Sequence, residues 1–390
     1  MRRTASIVSV YGSALMQGLV VVSFPASGAV LRAAHGISDA QYGSIFLVQT
    51  VLAIVGSLLA GGLSQKLGLV TLARLALAAG LLAEVLLAAT PMLASGPAYA
   101  AVLAAIGLAG LGFGLSSAPL NSYPGVLFPA RRESALVVLH TLIGAGFAVG
   151  PLLAGAAIDH VGWQAFPILL SLLAAALMIL PFPGAGAAAE IAVRGARGPQ
   201  TSFAFWSLAA TAVIYALCEG TFGSWIVIYL QEERAVAPMS AALALSTFWA
   251  ALVVGRLVVS LLVVRVPSRH IWAALPVLML TAFWLLPDAH DARSGIGLFA
   301  LAGLACSAFF PLTVGFASGR FREDVAWVAS MLTASLMLGS GVGSFALGAL
   351  RQLTSLAALY RWSSIYALAL LALVAVISTA RSPQPKGETP

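Results

Sequence analysis

The chain has 390 residues, of which 61% are hydrophobic and only 8% charged. Soluble globular proteins carry about 25% charged residues, so this composition excludes a soluble protein and indicates a membrane protein built from apolar helices. The net charge of +7 is typical of basic cytoplasmic loops in such a protein and does not indicate nucleic-acid binding. The two cysteines, Cys218 and Cys306, lie in apolar segments and predict neither a disulfide nor a metal site.

Twelve apolar segments are each about 20 residues long, which is enough to cross a bilayer as a helix. We place them at residues 6–31, 41–63, 69–90, 98–120, 133–157, 162–182, 203–230, 239–264, 270–287, 295–318, 325–350 and 360–380. The start, Met1-Arg2-Arg3, is similar to that of a signal peptide. Because the apolar run behind it is long and leads into further apolar segments, we interpret it as an uncleaved first span.

Lysine and arginine are unevenly distributed over the loops between these spans. With the N-terminus inside the cell, the inner loops and termini carry fourteen basic residues, the outer loops carry five, and Arg256 falls within a span. Basic residues accumulate on the cytoplasmic side of membrane proteins, so we expect both termini in the cytoplasm. The short loops are typical of a multi-pass protein of the bacterial inner (plasma) membrane.

The spans divide into two sets of six. Residues 1–182 and 203–380 would each form a six-helix bundle, joined by a cytoplasmic linker at 183–202 that is rich in Gly, Ala and Pro. Residues 381–390 would form a cytoplasmic tail. Spans five and eleven carry glycine runs of equal spacing, at Gly146, Gly150, Pro151 and Gly155 and at Gly339, Gly343, Ser344 and Gly348. Such an internal repeat is a recurrent design of secondary transporters, whose site lies between the halves.

One acidic residue, Glu219, lies deep in the seventh span. A charged carboxylate near a bilayer centre costs at least ~2.5–3.5 kcal/mol, so it must be neutral, paired or in contact with water. Tyr215, Glu219, Phe222, Ile226 and Tyr229 have the spacing of one helix face. An acid on an aromatic face indicates a functional site, and the alternative is an acid permanently hydrogen-bonded between helices.

Several short motifs are distributed over nearly the whole chain. They are Asn121-x6-Phe128-Pro129-Ala130-Arg131-Arg132, Leu139-His140, Gly146-x3-Gly150-Pro151, Tyr215-x3-Glu219, Trp225-x3-Tyr229, Phe248-Trp249, Gly255-Arg256 and Phe309-Phe310-Pro311. Together they resemble the major facilitator superfamily, and most of all its fucose-permease-like group. The resemblance implies an all-α membrane protein with twelve transmembrane helices in two six-helix bundles, which alternates access to a central cavity.

The chain departs from the family pattern at two places. The loop after span two usually reads Gly-x3-Asp-Arg-x-Gly-Arg-Arg in the superfamily, and here Gln65 stands at the acidic position before Lys66. The charge interaction of the inner gate is therefore weakened or rebuilt around Lys66. Sugar–proton members of the group carry an acid in the first or fourth span, and this chain has none there.

Glu219 is the predicted proton site, because a carboxyl group that titrates when water reaches it carries a proton across. His140 in span five is a second candidate for proton coupling, or else a gate or core histidine near the cytoplasmic side. Glu84 is the other buried acid. Since the third span of this architecture usually lies towards the outside of the bundle, we favour snorkelling or an interhelical bond for Glu84.

Aromatic and amide side chains predict a substrate site, because they stack on rings and bond hydroxyl groups. The candidates are Gln17, Tyr42, Phe46, Gln49, Asn121, Tyr215, Phe222, Trp225, Trp249 and Phe310. Such a set also suits flat apolar drugs, and we expect about half of it to line the cavity. Gln17, the repeat equivalent of Glu219, would bond a ligand or hold helices together.

Gating and structural roles fall to a third group. Gly146, Gly150 and Pro151 allow close helix approach and a kink. Arg256 has the geometry to bind a carboxylate, but it follows Gly255 near the inner end of its span, so we favour a gating or structural role.

The predicted function is uptake of a small polar, sugar-like metabolite by proton symport. The expected protein is a monomer that uses no cofactor or metal and binds no nucleic acid. It is not an enzyme, because its ionisable residues are isolated and no Gly-x4-Gly-Lys-Ser/Thr phosphate loop occurs. The alternatives are proton-driven efflux of drugs or metabolites and an uncoupled uniporter. Sodium coupling at Glu219 and the nearby carbonyls also stays open.

Overall fold

The computed structural model describes residues 2–183, 202–321 and 325–379, and these residues form helices and no β-strand. The predicted linker, except for its two end residues, and the predicted tail lie outside the described residues. The helices are α1 (Arg2–His35), α2 (Asp39–Ala89), α3 (Ser95–Leu127), α4 (Arg132–His160), α5 (Ala165–Ile179), α6 (Phe203–Ile228), α7 (Pro238–Leu262), α8 (Ser268–Leu285), α9 (Ala292–Cys306), α10 (Phe309–Arg320), α11 (Val325–Leu350), α12 (Leu356–Trp362) and α13 (Ser364–Thr379).

The helical segments follow the predicted spans in order. Within the described ranges, eleven segments are long and apolar enough to cross a membrane, judged by length and composition. The shorter apolar helix Ala165–Ile179 lies where the sixth span was predicted. The prediction of an all-α membrane protein is therefore confirmed.

The element α2 contains both span two and span three, which are separate spans as predicted. The chain turns between them at Gly68, which has a non-helical φ of 79° and ψ of 158°. Residues that have a Cβ rarely adopt a positive φ, so the glycine, which has none, permits the bend there. Conversely, the tenth span was predicted as one segment, and the structure breaks it between α9 and α10 at Ser307 and Ala308.

The two halves of the chain pack in equivalent ways. In the first half α1 packs on α4, and in the second half α6 packs on α11. The repeated glycines lie at these contacts: a Cβ added to Gly146 would lie 2.5 Å from the carbonyl oxygen of Leu15, and one added to Gly343 would lie 2.7 Å from that of Leu217. Small residues let the two backbones approach this closely. The repeat in the sequence thus corresponds to a repeat in helix packing.

Candidate functional site

The two halves meet along α2–α11 and α4–α7. We call the membrane face at which α1 begins the N-terminal face and the other the opposite face. Close to the opposite face, a Cβ added to Gly43 of α2 would lie 3.0 Å from the Cα of Gly348 of α11. In the middle of the membrane, the rings of Phe147 (α4) and Trp249 (α7) stack with centroids 4.8 Å apart. The halves are therefore in contact from the opposite face to the middle.

Five charged residues close the opposite face, and we call them the charge cluster: Arg32, Asp39, Glu232, Glu233 and Arg351. Arg32 bonds Asp39 at 2.6 Å in its own half and Glu232 at 2.7 Å in the other half. Arg351 pairs with Glu233 and lies 3.9 Å from Asp39 across the interface. Glu233 also accepts backbone N–H bonds at the start of α12. The cluster joins the ends of α1, α2, α6 and α11.

Exposed polar side chains of both halves face one another towards the N-terminal face, and we call the space between them the cavity. Asn121 of α3, His140 of α4 and Arg256 of α7 lie between the middle and this face, and all three are exposed. The Nε2 of His140 lies 3.3 Å from the Oδ1 of Asn121. Arg256 is near enough to His140 to act on it electrostatically. Polar groups of both halves thus face one space.

The break between α9 and α10 leaves backbone carbonyls without helical partners. Two side chains from neighbouring helices satisfy them: the Tyr215 hydroxyl donates to the oxygen of Cys306 at 2.7 Å, and the Arg256 Nε donates to the oxygen of Ser307 at 3.0 Å. Gly255 permits this approach, since its Cβ would lie 2.5 Å from the Ser307 side chain. Irregular backbone is tolerated at membrane depth where it is buried in protein or lines a cavity. Arg256 therefore has a structural contact, and its gating role stays a prediction.

Glu219 lies on α6 beside this break. Its carboxyl group lies beside the Tyr215 hydroxyl and interacts electrostatically with the Arg256 guanidinium. The residue as a whole is half-buried, while its carboxyl group is packed among protein atoms. Together with His140 on the other side of the cavity, Arg256 and Glu219 place a base, a cation and an acid near one another.

Four predicted substrate residues are at least partly accessible: Asn121 is exposed, and Gln49, Trp249 and Phe310 are half-buried. Tyr215 is buried behind Phe310, with the two ring centroids 6.3 Å apart in a stacked arrangement. Contact of these residues with a substrate stays a prediction.

Other predicted substrate residues lie elsewhere in this conformation. Phe222 is fully buried inside the second half, stacked on Phe283 at 4.0 Å, and contacts no cavity. Tyr42 and Trp225 are buried in an edge-to-face pair, with centroids 4.8 Å apart, between the cavity and the charge cluster. Phe46 contacts Tyr42 edge-to-face, with centroids 5.3 Å apart. These last three residues form the closed end of the cavity, and contact with a substrate stays a prediction for them.

Gln17 points into the first half. Its Nε2 donates to the Ser116 hydroxyl at 2.8 Å and to the Phe113 carbonyl at 3.3 Å, both on α3. Its Oε1 is buried without a partner. Gln17 therefore connects α1 and α3 and lines a small internal cavity. It does not touch Glu219 or Arg256 through any hydrogen bond of the described residues.

Lys66 is exposed at the N-terminal face, in the bend of α2, and no ion pair of the described residues includes it. The side chain of Gln65 is outside the described residues. Gly150 and Pro151 are buried in α4, which runs through Pro151 as one helix. A Cβ on Gly150 would press on Val22 of α1, so this stretch serves packing between α1 and α4.

The charge cluster was missed by the sequence reasoning, which counted its arginines only to set orientation. The signal was present at the ends of spans, where Arg32, Asp39, Glu232 and Arg351 are flanked by apolar helices. Arg32 and Glu232 are 200 positions apart, so no local pattern pairs them. Within the described ranges, no group of three or more His, Cys, Asp or Glu side chains is placed to hold a metal ion.

Comparisons with known proteins agree on the fold. The sequence profile described as Major Facilitator Superfamily matches residues 10–292. No curated protein matches the chain. A bacterial homolog of the human lysosomal transporter Spinster, in an inward-facing and occupied conformation, superposes with a TM-score of 0.77 at 13% identity, over 98% of this chain and 99% of that chain. The nucleoside transporter NupG superposes with a TM-score of 0.74 at 12% identity, over 96% of this chain and 99% of that chain. At such identities the likeness concerns the fold.

Proposed function

The chain belongs to the major facilitator superfamily, and we propose that it is a secondary active transporter that moves a small polar metabolite by alternating access. Its motifs favour the fucose-permease-like group within that family. The N-terminal face is the cytoplasmic face of a bacterial inner membrane, in keeping with the excess of basic residues on that side. The conformation described above is then the inward-facing one.

The position of Glu219 carries the proposal. It is a half-buried acid on α6, at the wall of the cavity, with Tyr215 and Arg256 as its neighbours. The single hydroxyl hydrogen of Tyr215 is donated to Cys306. The phenol oxygen is therefore free to accept a hydrogen bond from a protonated Glu219, while a deprotonated Glu219 is balanced by the Arg256 cation. Each protonation state has a partner, which is what a proton carrier requires.

The cavity wall supports a ring-shaped substrate with hydroxyl groups. Trp249 and Phe310 offer aromatic faces, and Gln49 and Asn121 offer amide groups. NupG, which has the same fold, is a nucleoside transporter, and a nucleoside combines a flat ring with a sugar. A sugar-like or nucleoside-like metabolite fits this wall. An inward-directed proton gradient favours protonation of Glu219 from the outer side. Inward movement of the substrate together with this proton is uptake by proton symport.

The experiment begins with a stabilisation screen of sugars, nucleosides, polyols, organic acids and common drugs. Each compound that stabilises the purified protein is then assayed in proteoliposomes, both for uptake driven by a pH gradient and for exchange without a gradient. In Glu219→Gln the amide mimics the neutral acid but releases no proton. We expect the variant to lose gradient-driven accumulation and to keep exchange, because exchange needs no net proton release.

Two controls make the result specific. Asp288→Asn removes an exposed acid near the opposite face and should leave accumulation unchanged. Glu219→Asp keeps a titratable group, and this variant should retain part of the gradient-driven accumulation. If Glu219→Gln accumulates substrate as the unmodified protein does, Glu219 is not the coupling residue. Exchange without accumulation in the unmodified protein favours a uniporter, and accumulation that follows a sodium gradient favours sodium coupling.

Efflux is the second candidate function. The aromatic wall also suits flat apolar compounds, and the glycine run of α4 is compatible with either direction. Stabilisation by cationic or apolar drugs, with outward transport of drug towards the side of higher drug concentration, favours an exporter over an importer.

A further inference from the structure

Glu84 is a second acid inside the membrane, and it lies far from the cavity between the halves. It is on α2, after the bend at Gly68, and it is fully buried. Its Oε1 lies 2.8 Å from the hydroxyl oxygen of Ser23 on α1, and its Oε2 has no partner. It therefore does not snorkel to a membrane face, and it makes one interhelical bond.

The hydrogen bonds around Ser23 have two consistent arrangements. The Ser23 hydroxyl oxygen also lies 3.1 Å from the carbonyl oxygen of Val20, but a hydroxyl group has one hydrogen to donate. If Glu84 is charged, Ser23 donates to Glu84 and the Val20 contact is lost. If Glu84 carries a proton, Glu84 donates to Ser23, and Ser23 donates to Val20. Rotation of one hydroxyl group thus fits both protonation states.

An internal cavity of about 40 Å³ leads towards this pair from the N-terminal side. We call it the α1–α2–α3 chamber. Its lining includes the hydroxyl groups of Ser13 and Ser116 and the side chain of Gln17, and it ends at Gly80, one helical turn before Glu84. The buried Oε1 of Gln17 has no protein partner. Most of the chamber wall is apolar, so water in it would be held by these few polar groups. Its volume has room for about two or three water molecules.

We propose that Glu84 is a second proton-binding site, separate from Glu219, and that the α1–α2–α3 chamber is its water-filled route from the N-terminal face. A hydronium ion in the chamber gives its proton to the Glu84 carboxylate, so that an O–H bond forms on Glu84 and water remains. The new acid then donates to Ser23, and the Ser23 hydrogen turns to Val20. The reverse sequence returns the proton.

No other charge of the described residues competes for this site. Ser23 of α1 is the side chain that acts on Glu84, and neither α3 nor the rest of α2 places a titratable partner against it. The nearest acid in the proposed mechanism, Glu219, belongs to the other half. The two sites can therefore be tested apart.

The test uses protons as the probe and needs no substrate. The purified Glu219→Gln protein in liposomes is titrated from alkaline to acidic pH while infrared difference spectra are recorded. We expect a protonated-carboxyl C=O band that appears on acidification, shifts in D₂O and is absent from Glu219→Gln/Glu84→Gln. In Ser23→Ala the band should remain but move to higher frequency, because the hydrogen bond is lost. Identical spectra with and without Glu84 would overturn the proposal.

A second measurement covers the case in which the double variant does not fold. An apolar carbodiimide, which reacts with protonated carboxyl groups, is applied to the unmodified protein at several pH values, and mass spectrometry locates the label. Labelling of Glu84 that falls as the pH rises supports the site, whereas labelling that is absent or independent of pH contradicts it.

The chamber is tested by filling it. Ala109→Leu places a larger side chain in the lining and should slow hydrogen–deuterium exchange of the Glu84 carboxyl severalfold. Ala104→Leu is the matched control, since Ala104 lies on the exposed side of the same helix. Equal exchange rates in the two variants would remove the chamber as the route.

Discussion

Single residues stabilise the broken tenth span, and Tyr215 shows how. Its ring is fully buried, and its hydroxyl satisfies the carbonyl of Cys306 at the break. Removing one partner of a buried hydrogen bond costs about 1–3 kcal/mol, because the other partner is left unsatisfied. The same hydroxyl is the neighbour of Glu219. Stability and the proposed proton coupling therefore involve the same phenol group.

We predict that Tyr215→Phe lowers the free energy of unfolding by about 1–3 kcal/mol, measured by reversible denaturation in detergent micelles. Tyr366→Phe is the control, since Tyr366 is half-buried and its hydroxyl makes no hydrogen bond within the described ranges. Equal stability of the two variants would show that the Cys306 carbonyl finds another partner.

The sequence identifies Glu219 as a candidate site residue, because an acidic residue within an apolar span is unusual whatever its neighbours are. It does not identify the surroundings of Phe222, although both residues lie on one helix face by spacing. Periodicity says which side chains share a face, but it does not say which neighbouring helix that face meets. In the structure Phe222 meets Phe283 of α8, and Glu219 meets the break between α9 and α10.

At the scale of helices, the glycine runs set how closely α4 approaches α1 in the first half and how closely α11 approaches α6 in the second half. A Cβ on Gly146 would lie 2.5 Å from the carbonyl oxygen of Leu15 and 2.9 Å from the Cα of Gly18. Both contacts are backbone atoms, which cannot rotate away. α1 and α4 would have to separate.

We predict that Gly146→Ala lowers the free energy of unfolding by about 1–3 kcal/mol, the usual cost of overpacking. Gly315→Ala in α10 is the matched control, because nothing lies within 4 Å of the added Cβ. That control should be neutral or more stable by up to about 1 kcal/mol, since alanine favours helix. A Gly146→Ala protein as stable as the control would show that α1 and α4 adjust freely.

The sequence predicts the helices well and their interruptions poorly. Apolar runs identify eleven segments long enough to span a bilayer and the shorter helix Ala165–Ile179 within the described ranges. The bend at Gly68 falls between two predicted spans, whereas the break at Ser307 and Ala308 falls in a stretch that looks continuous. The break depends on tertiary contacts, because Tyr215 and Arg256, which are distant in sequence, satisfy its carbonyls.

At the scale of the whole molecule, the charge cluster joins the two halves at the opposite face. Its side chains are between 11% and 36% exposed, so the pairs are neither freely solvated nor deeply buried. Exposed pairs contribute about 0–1 kcal/mol, and breaking a buried pair costs about 3–5 kcal/mol. Between these limits, we assign about 1–2 kcal/mol to Arg351.

We predict that Arg351→Gln raises the ratio of opposite-face-open to opposite-face-closed molecules by roughly 5–30-fold, which is what 1–2 kcal/mol gives. Glu233 and Asp39 then lose their shared cation. Arg293→Gln, at an exposed arginine near the same face but outside the cluster, should leave the ratio unchanged.

The measurement that tests alternating access most directly is the distance between the halves at both faces, by double electron–electron resonance in liposomes. Spin labels at Ala34→Cys and Gln352→Cys report on the opposite face, and labels at Arg131→Cys and Arg265→Cys report on the N-terminal face. All four positions are exposed, and the native Cys218 and Cys306 are buried. In Arg351→Gln we expect longer distances at the opposite face and, in the same proportion of molecules, shorter distances at the N-terminal face. A change at one face with none at the other would contradict the account.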